Sequence, residues 1–405
     1  MKLKTKDYLA INVYWFGLSF MWNGLHPIIL PALLLHFVPE SLKNTYLGGM
    51  TFIGLILAMV IQPLAGALSD RTRSSWGRRR PWMLGGILFS LIFLSTMALS
   101  DSLRGILLSY MLLQVASNTA HGPAQGLIPD LVPPERRGLA AGVKNLFDMS
   151  GLIVTSLVAG HLLGQGNVLL AFAVTGGILA TGTLITLLTT PERPTFSLET
   201  PITGHGLRMS LRRYPNYTRL LVSRFFILLG IYAVQGFAQY YIRDWLGMPD
   251  PAQVTGNLLA AIGVALILLV FPAGILSDRI GRVRLNLLAG ALAALGIFLL
   301  VFARNVVMLY IFGGIIGMAT GIFLSVNWAL ATDLIPQEEA GKYLGLSNLA
   351  TAGAGATSRL GGPLIDGLNA LRPGTYVGYP ALFLLASIMT LLGTLLIFRI
   401  HQSDR

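Results

Sequence analysis

The chain has 405 residues, of which 54% are hydrophobic and only 11% are charged, and its formal net charge is +12. Soluble domains carry roughly 25% charged residues, so this chain has too few to cover a soluble protein of its size, and a lipid bilayer is the expected solvent. Its basic residues lie in short loops between long apolar runs, which is typical of membrane topology and argues against a nucleic-acid-binding surface. Because the chain contains no cysteine, disulfides, a thiolate nucleophile and a cysteine metal site are excluded.

The hydropathy pattern predicts twelve transmembrane helices, because twelve apolar stretches reach the length of about 20 residues that a bilayer requires. The first stretch follows three lysines and is too long for the core of a signal peptide, so we interpret it as a spanning helix. The predicted spans are 8–37, 46–68, 81–100, 105–127, 139–163, 168–190, 218–243, 254–276, 285–303, 306–332, 343–366 and 376–399.

The distribution of lysine and arginine predicts the orientation of these spans. Of the 29 lysines and arginines, 21 fall on the side of the N-terminus, 5 fall on the opposite side and 3 lie inside spans. Positive residues concentrate in cytoplasmic loops, so both termini are expected in the cytoplasm. We expect a multi-pass monomer in the inner, cytoplasmic membrane of the cell.

Two related halves are indicated by charged segments that each occur twice. The loop that contains Asp70 returns at Asp278, 208 residues later, and the segment that begins at Asp130 aligns with one at Asp333, 203 residues later. Two anchors at nearly the same offset predict two parallel six-helix repeats. A stretch with several prolines and glycines, 191–217, is the expected cytoplasmic linker. The predicted bundles are 1–190 and 218–405.

These loops resemble the signature of the major facilitator superfamily. The residues that carry the resemblance between spans 2 and 3, with an insertion before the second glycine, are Gly66, Leu68, Asp70, Arg71, Gly77, Arg78 and Arg79. Those of the partner motif between spans 4 and 5 are Asp130, Pro133, Arg137 and Gly138. With the twelve spans and the half-repeat, the resemblance covers the whole chain. It implies an all-α membrane protein of two six-helix bundles, a secondary transporter that alternates access to a substrate held between its halves.

A narrower resemblance points to one branch of that family. The ending Trp76-Gly77-Arg78-Arg79-Arg80-Pro81 is similar to the longer loop of the glycoside–pentoside–hexuronide and sucrose–proton symporter group. It implies a sugar or glycoside as substrate and a proton as coupling ion. Melibiose-type members place aspartates on helix 2 as a cation site, whereas residues 46–68 hold no carboxylate. Sodium coupling of that type is therefore not supported, and sodium stays the alternative ion.

We predict that the charged loops form a cytoplasmic gate. A carboxylate at the end of helix 2 can accept hydrogen bonds from a neighbouring helix N-terminus, whose dipole favours negative charge. Arg71 and Arg137 can pair with Asp70 or Asp130; the alternative is that the arginines only determine topology. The predicted gate residues are Gly66, Asp70, Arg71, Gly77, Arg78, Asp130, Arg137, Asp278, Arg279 and Asp333.

Asp148 is an acidic residue well inside a predicted span, about 15 Å along the fifth helix at 1.5 Å per residue. An ionisable residue at that depth is expensive and indicates a function. Lys144 lies one turn earlier on the same face. We predict that Asp148 and Lys144 bind the coupling proton and substrate hydroxyls; the alternative is a static ion pair that lowers the cost of insertion.

Polar and aromatic residues form stripes on several spans and indicate a polar cavity. Amides hydrogen-bond hydroxyls and indoles stack on sugar C–H faces, so the set suits a polyol. The alternative is hydrogen bonding between helices, which uses the same residue types. The predicted substrate-binding residues are Trp22, Asn23, His26, Gln114, Asn118, His121, Tyr232, Gln235, Gln239, Asn327, Trp328, Asn348 and Arg359.

Further titratable residues inside spans have weaker expected roles. His26 and His121 are alternative proton carriers, ranked below the carboxylate of the fifth span. Arg359 needs a counter-charge or water, and Asp366 is expected on the same side of its helix. Arg224, near the inner end of the seventh span, is expected to snorkel to the membrane surface.

The favoured function is proton-coupled symport of a sugar or glycoside by alternating access. A carrier or exporter of an amphiphile, such as a lysolipid or a drug-like molecule, is the open alternative. A membrane-embedded enzyme is disfavoured, since the chain shows no HExxH motif, no glycine-rich phosphate loop and no cysteine. We expect no cofactor and no metal; the expected partners are a small-molecule substrate and the lipid bilayer.

Overall fold

The computed structural model describes residues 4–190, 192, 211–335 and 340–400, and nearly all of them are helical. Ten of the described helical segments are long and apolar enough to cross a membrane. The expectation of an all-α membrane protein is confirmed at this level. The segments at predicted spans 4 and 11 are not among the ten, so the count of twelve spans stays a prediction.

The chain folds into two compact units. The first comprises Met1–Phe37 and Ile53–Leu207, and the second comprises Val38–Phe52 and Arg208–Arg405. The predicted division at 191–217 stays a prediction because residues 193–210 lie outside the described part. The sequence did not indicate that Val38–Phe52, which includes the start of the second predicted span, belongs to the second unit.

The described part of the first unit contains seven α-helices, one of which begins in the second unit. Within it α1 packs against α6 and α7, and α4 packs against α5 and α7. Glycines permit the closest approaches: a Cβ at Gly86 of α4 would lie 2.7 Å from the backbone of α5. The helices are α1 (Thr5–Gly24), α2 (Leu30–Leu34), α3 (Lys43–Asp70), α4 (Arg80–Ala98), α5 (Leu103–Leu131), α6 (Arg137–Gly164) and α7 (Val168–Thr189).

The second unit repeats these pairings. Here α8 packs against α12 and α14, and α10 packs against α11 and α14. This correspondence is what the two-fold sequence repeat predicts. The helices are α8 (Pro215–Asp244), α9 (Pro251–Ile280), α10 (Arg282–Leu300), α11 (Val306–Asp333), α12 (Ala340–Ser358), α13 (Gly361–Leu371) and α14 (Gly378–Phe398).

Two predicted spans are interrupted. In the first, the π-helical turn Leu25–Ile29 joins α1 to α2, and the prolines at 27 and 31 remove backbone donors there. In the eleventh, the single helix expected over 343–366 breaks between α12 and α13 at Arg359. Pro363 cannot donate to the carbonyl of Arg359, and the backbone of α3 at Asn44 packs directly on Gly362.

Candidate functional site

A buried arginine at the start of α4 joins two aspartates of the first unit. Arg79, 5% exposed, forms ion pairs with Asp70 at the end of α3 and with Asp130 of α5, the latter at 2.9 Å. Its Nη1 also donates to Ser69 Oγ at 2.5 Å. Gly126 of α5 leaves the space for this guanidinium, since a Cβ there would lie 2.5 Å from its Cζ. We call Asp70, Arg79 and Asp130 the α4 triad.

The loop before α4 adds two further contacts. Arg78 donates to both carboxylate oxygens of Asp130, at 2.6 and 3.2 Å. Partial burial lowers the pKa of Arg78, but the hydrogen bond and charge of Asp130 outweigh it and raise that pKa overall. Glu192 accepts from the backbone N–H groups of Arg79 and Arg80, and its negative charge suits the N-terminus of α4.

The predicted pairing of Arg71 and Arg137 with the aspartates is wrong. Arg71 is exposed, and Arg137 donates to the backbone carbonyls of Val132 and Pro129 instead. Arg79 was absent from the predicted gate set, as was Glu192. The position of Arg79 in the sequence could have indicated its role, because it comes just before a helix that begins with Arg80-Pro81 and that packs beside the glycines of α5. Gly66 faces Gly122 of α5, and Gly77 has a φ of +99°, which favours glycine.

The second unit carries the same arrangement. Arg282, at the start of α10, pairs with Asp278 at 3.1 Å and with Asp333 at 2.7 Å. Arg282 lies 203 residues after Arg79. Arg279, which was in the predicted gate set, is exposed, and Arg282 was absent from that set. We call Asp278, Arg282 and Asp333 the α10 triad; whether either triad acts as a gate stays a prediction.

The interior of the first unit holds the predicted pair of Lys144 and Asp148. Lys144 Nζ lies 2.7 Å from Asp148 Oδ2 and 4.0 Å from the centre of the buried Trp15 ring. Ser19 of α1 donates to the backbone carbonyl of Asp148 at 2.6 Å, and Asn23 donates to Ser19. Lys144 and Asp148 therefore form a partly buried ion pair whose lysine lies against an aromatic ring.

A second polar group in this unit links α1 to α5. His26 Nε2 lies 3.0 Å from Tyr110 Oη, which also accepts from Gln114 at 2.7 Å, and Asn118 donates to Gln114. Trp22 stacks on His26. Four of the predicted substrate residues, Trp22, His26, Gln114 and Asn118, thus meet around Tyr110. Tyr110 itself was not in the predicted set. His121 lies apart from them, edge-on to Trp15 and 3.3 Å from Gln125.

The interior of the second unit is organised around Arg224. This arginine is 6% exposed, so the expectation that it snorkels to the surface is wrong. Its Nε donates to Thr351 of α12 at 2.9 Å and its Nη1 to Asn327 Oδ1 of α11 at 2.7 Å. Trp328 lies beside it, with the ring centre 6.0 Å from Cζ. Two predicted substrate residues, Asn327 and Trp328, therefore meet at a cation that was not in the predicted set.

The other predicted substrate residues of this unit have separate positions. Gln239 and Arg359 are buried, Tyr232 and Gln235 are partly buried, and Asn348 is exposed. The Arg359 guanidinium lies against Gly236 of α8. Asp366 does not serve it as predicted: its carboxylate accepts from the Asn44 side chain at 2.8 Å and from the Thr45 backbone at 2.7 Å.

The start of α3 forms a charged cluster that the sequence did not indicate. Lys43 is 2% exposed and pairs with Asp244 at 2.6 Å and with Glu40. Tyr379 donates to Asp244 at 2.5 Å and Arg243 to Glu40 at 3.0 Å. This cluster ties α3 to α8 and α14 inside the second unit, at the opposite end of α3 from the α4 triad.

Comparison with known sequences identifies the family to which these features belong. The sequence model of the Major Facilitator Superfamily matches residues 8–358 and, in a second match, 220–405. Three relatives illustrate the range. The chain is 31% identical over 203 residues to "Proton-associated sugar transporter A" of Rattus norvegicus. That alignment covers 44% of this chain but only 26% of the rat protein. It is 27% identical to "Inner membrane symporter YicJ" of Escherichia coli K12 (83% and 75% covered) and 24% identical to "Multidrug resistance protein MdtG" of Citrobacter koseri (78% and 77% covered).

Solved structures support the fold. A bacterial homolog of the human lysosomal transporter Spinster, in an inward-facing conformation, aligns with a TM-score of 0.74 at 16% identity over the full length of both chains. A D-xylose–proton symporter aligns with a TM-score of 0.73 at 17% identity, over 96% of this chain and 97% of the other. At these identities the likeness extends to the fold alone.

Proposed function

The chain belongs to the Major Facilitator Superfamily, and from this premise we propose that it is a proton-coupled symporter of a sugar or glycoside. The observation that carries the coupling part is the contact of Lys144 with Asp148 inside a predicted span, against Trp15 and Ser19. Asp148 is the proposed proton carrier. Binding a proton neutralises this carboxylate and releases Lys144, which can then hydrogen-bond a substrate hydroxyl.

The sugar part of the proposal is supported by chemistry and by relatives. The group of Trp22, His26, Tyr110, Gln114 and Asn118 offers amides, a hydroxyl and indole and imidazole faces, and such groups suit polyols. Two of the relatives carry names that include a sugar transporter or a symporter.

We further propose twelve spans with both termini in the cytoplasm. In this orientation the two triads lie on the cytoplasmic side and serve as gate contacts, and the Lys43 cluster lies on the opposite side. The cysteine-free chain suits a direct test, because Ser75→Cys and Thr375→Cys each introduce a single thiol in an exposed loop. A membrane-impermeant maleimide added to intact cells should label Cys at 375 and not at 75; the reverse pattern would contradict the orientation.

The coupling role is tested by Asp148→Asn in proteoliposomes with an imposed inward proton gradient. We expect the variant to lose gradient-driven accumulation while it retains exchange of labelled for unlabelled substrate, since exchange does not require the carrier to return without its proton. The matched control is Asp101→Asn, which changes an exposed loop carboxylate. Accumulation equal to that of the unaltered protein would remove Asp148 as the coupling residue.

A carrier of amphiphiles is the second candidate, favoured by the similarity to a multidrug resistance protein over 78% of this chain. A thermal-shift screen of the purified protein separates the two candidates. Stabilisation by sugars or glycosides supports the proposal, and stabilisation only by lysolipids or lipophilic cations overturns it.

A further inference from the structure

An open apolar groove lies between α4 and α5 in the first unit, with a volume of about 340 Å³. Gly86 brings the two helices together, since a Cβ there would lie 2.7 Å from the backbone of α5, whereas a Cβ at Gly85 would meet no atom within 4 Å. Phe89 and Phe93 line the groove with ring centres 6.3 Å apart, and Phe89 is 56% exposed. The two helices therefore leave an apolar space that their own side chains do not fill.

The length of this groove suits a single acyl chain of one membrane leaflet. Along α4 the groove extends from Pro81 to Phe93, which is about 18 Å at 1.5 Å per residue. The segment that forms α4 is long and apolar enough to cross a membrane, and half of the hydrocarbon core of a bilayer is about 15 Å thick. A hydrocarbon chain that enters at Pro81 therefore reaches the middle of the bilayer within the groove.

Two arginines lie in the loop that meets the Pro81 end of the groove. Trp82 lines this end, and its indole Nε1 donates to Thr72 Oγ1 at 2.7 Å. Thr72 stands between Arg71 and Arg73 in the loop, and both arginines are exposed. Neither arginine takes part in an ion pair among the described residues. Trp82 thus ties the groove to a loop that carries two positive charges without a protein counter-charge in the described part of the chain.

The second unit differs at both of these features. The offset of 203 residues that relates Arg79 to Arg282 places Leu288, which is 50% exposed, at the position of Gly85. The loop before α10 is also five residues shorter than the loop before α4. Because the α10 triad forms without these five residues, the longer loop of the first unit is not needed for such a triad. The additional loop residues and the glycine of the groove occur together in one unit, which indicates a shared role.

We propose that the groove between α4 and α5 binds an anionic phospholipid, with one acyl chain along α4 and the headgroup phosphate at Arg71 and Arg73. Guanidinium groups are strong donors to phosphate oxygens, and each basic residue near a membrane surface strengthens the binding of anionic lipid about fivefold. An indole such as that of Trp82 is typical of the level of the headgroups. This lipid is a resident partner of the protein, and the proposal does not depend on what the protein transports.

The headgroup is tested by native mass spectrometry of the purified full-length protein, which measures the apparent affinity for single lipids. The probes are phosphatidylglycerol and phosphatidylcholine with the same acyl chains. We expect phosphatidylglycerol to bind about tenfold or more tightly than phosphatidylcholine. The double variant of Arg71→Gln and Arg73→Gln should lose this preference. The matched control is the double variant of Arg104→Gln and Arg372→Gln, which removes two exposed arginines elsewhere and should retain it.

The acyl chain is tested by Gly85→Leu, which gives α4 the side chain that the second unit carries at the equivalent position. Because the Cβ position is open, the variant should fold and melt close to the unaltered protein, while its affinity for phosphatidylglycerol should fall about tenfold. Gly177→Leu is the control. Gly177 also has an open Cβ position and lines a second apolar groove, between α4 and α7, whose described lining contains no charged residue. This control should keep the affinity of the unaltered protein.

Each part of the proposal can fail separately. Equal binding of phosphatidylcholine and phosphatidylglycerol would overturn it, because the groove would then select no headgroup. A preference for phosphatidylglycerol that survives the loss of Arg71 and Arg73 would overturn the headgroup site, and unchanged binding by Gly85→Leu would place the chain elsewhere. Glycerol 3-phosphate, added alone, should not raise the melting temperature as phosphatidylglycerol does; if it does, the site binds a free phosphate and not a lipid. None of these results bears on sugar symport, which the proton-gradient experiment tests.

Discussion

The two units agree at their charged ends and differ in their interiors. Arg79 and Arg282 lie at the N-terminal ends of corresponding helices, 203 residues apart, and each bridges two aspartates. Inside, the first unit balances Lys144 with Asp148, whereas Arg224 in the second unit hydrogen-bonds an amide and a hydroxyl and pairs with no carboxylate among the described residues. The repeat thus preserves charge balance where helices end, whereas the described interiors differ: one holds an ion pair, and the other holds a buried arginine bonded to neutral groups.

The α4 triad and the α10 triad also differ in burial, which predicts that they differ in their sensitivity to mutation. The Arg79 side chain is 6% exposed and that of Arg282 is 26% exposed. Removing one partner of a buried pair leaves uncompensated charge, at a cost of about 3 kcal/mol or more, whereas exposed pairs contribute about 0–1 kcal/mol.

Arg79→Gln should therefore destabilise the protein most, because it leaves Asp70 and Asp130 without their shared partner. We expect the free energy of unfolding to fall by about 3 kcal/mol, compared with about 1 kcal/mol for the matched change Arg282→Gln. Unfolding of each purified variant in detergent measures both. Equal losses would show that burial does not distinguish the two triads.

The second prediction concerns the interiors. Lys144→Met leaves the carboxylate of Asp148 unpaired inside the first unit, and we expect the free energy of unfolding to fall by about 2 kcal/mol. The double variant with Asp148→Asn should recover most of it, because no charge then remains. A double-mutant cycle measures this coupling.

Arg224→Met is the matched change in the second unit. It removes a cation without leaving an unpaired carboxylate among the described residues, so its cost should be below that of Lys144→Met. A larger loss for Arg224→Met would mean that this charge is balanced within the protein after all, and the contrast between the interiors would disappear.

Local patterns predicted the contacts that helix geometry alone determines. The pairing of Lys144 with Asp148 follows from their spacing of four residues, and the correspondence of Asp70 with Asp278 follows from the repeat. The pairing of Asp70 with Arg79, and not with Arg71, does not follow from the sequence pattern, because the loop between them lets several arginines reach Asp70. Which arginine pairs with Asp70 depends on the packing of α4 against Gly126.

Contacts between residues that are far apart in the sequence could not be predicted from local patterns either. Lys43, Asp244 and Tyr379 meet although more than a hundred residues separate each from the next, and no periodicity links them. Arg224 was misjudged because its position near a helix end suggested snorkelling. Its burial depends on the neighbouring α11 and α12, which a single helix cannot indicate.

Gly126, the residue that makes room for Arg79, should be the least sensitive of these positions. Gly126→Ala places a Cβ 2.5 Å from Arg79 Cζ, so the guanidinium must move away from Asp70 or Asp130. The gain in helix propensity, up to about 1 kcal/mol, offsets part of this, and we expect a net loss below about 1 kcal/mol. Gly138→Ala is the control, since nothing lies within 4 Å of its Cβ position and only the propensity gain applies. In an Arg79→Gln background the Gly126→Ala loss should vanish; if it persists, the glycine serves helix packing rather than the arginine.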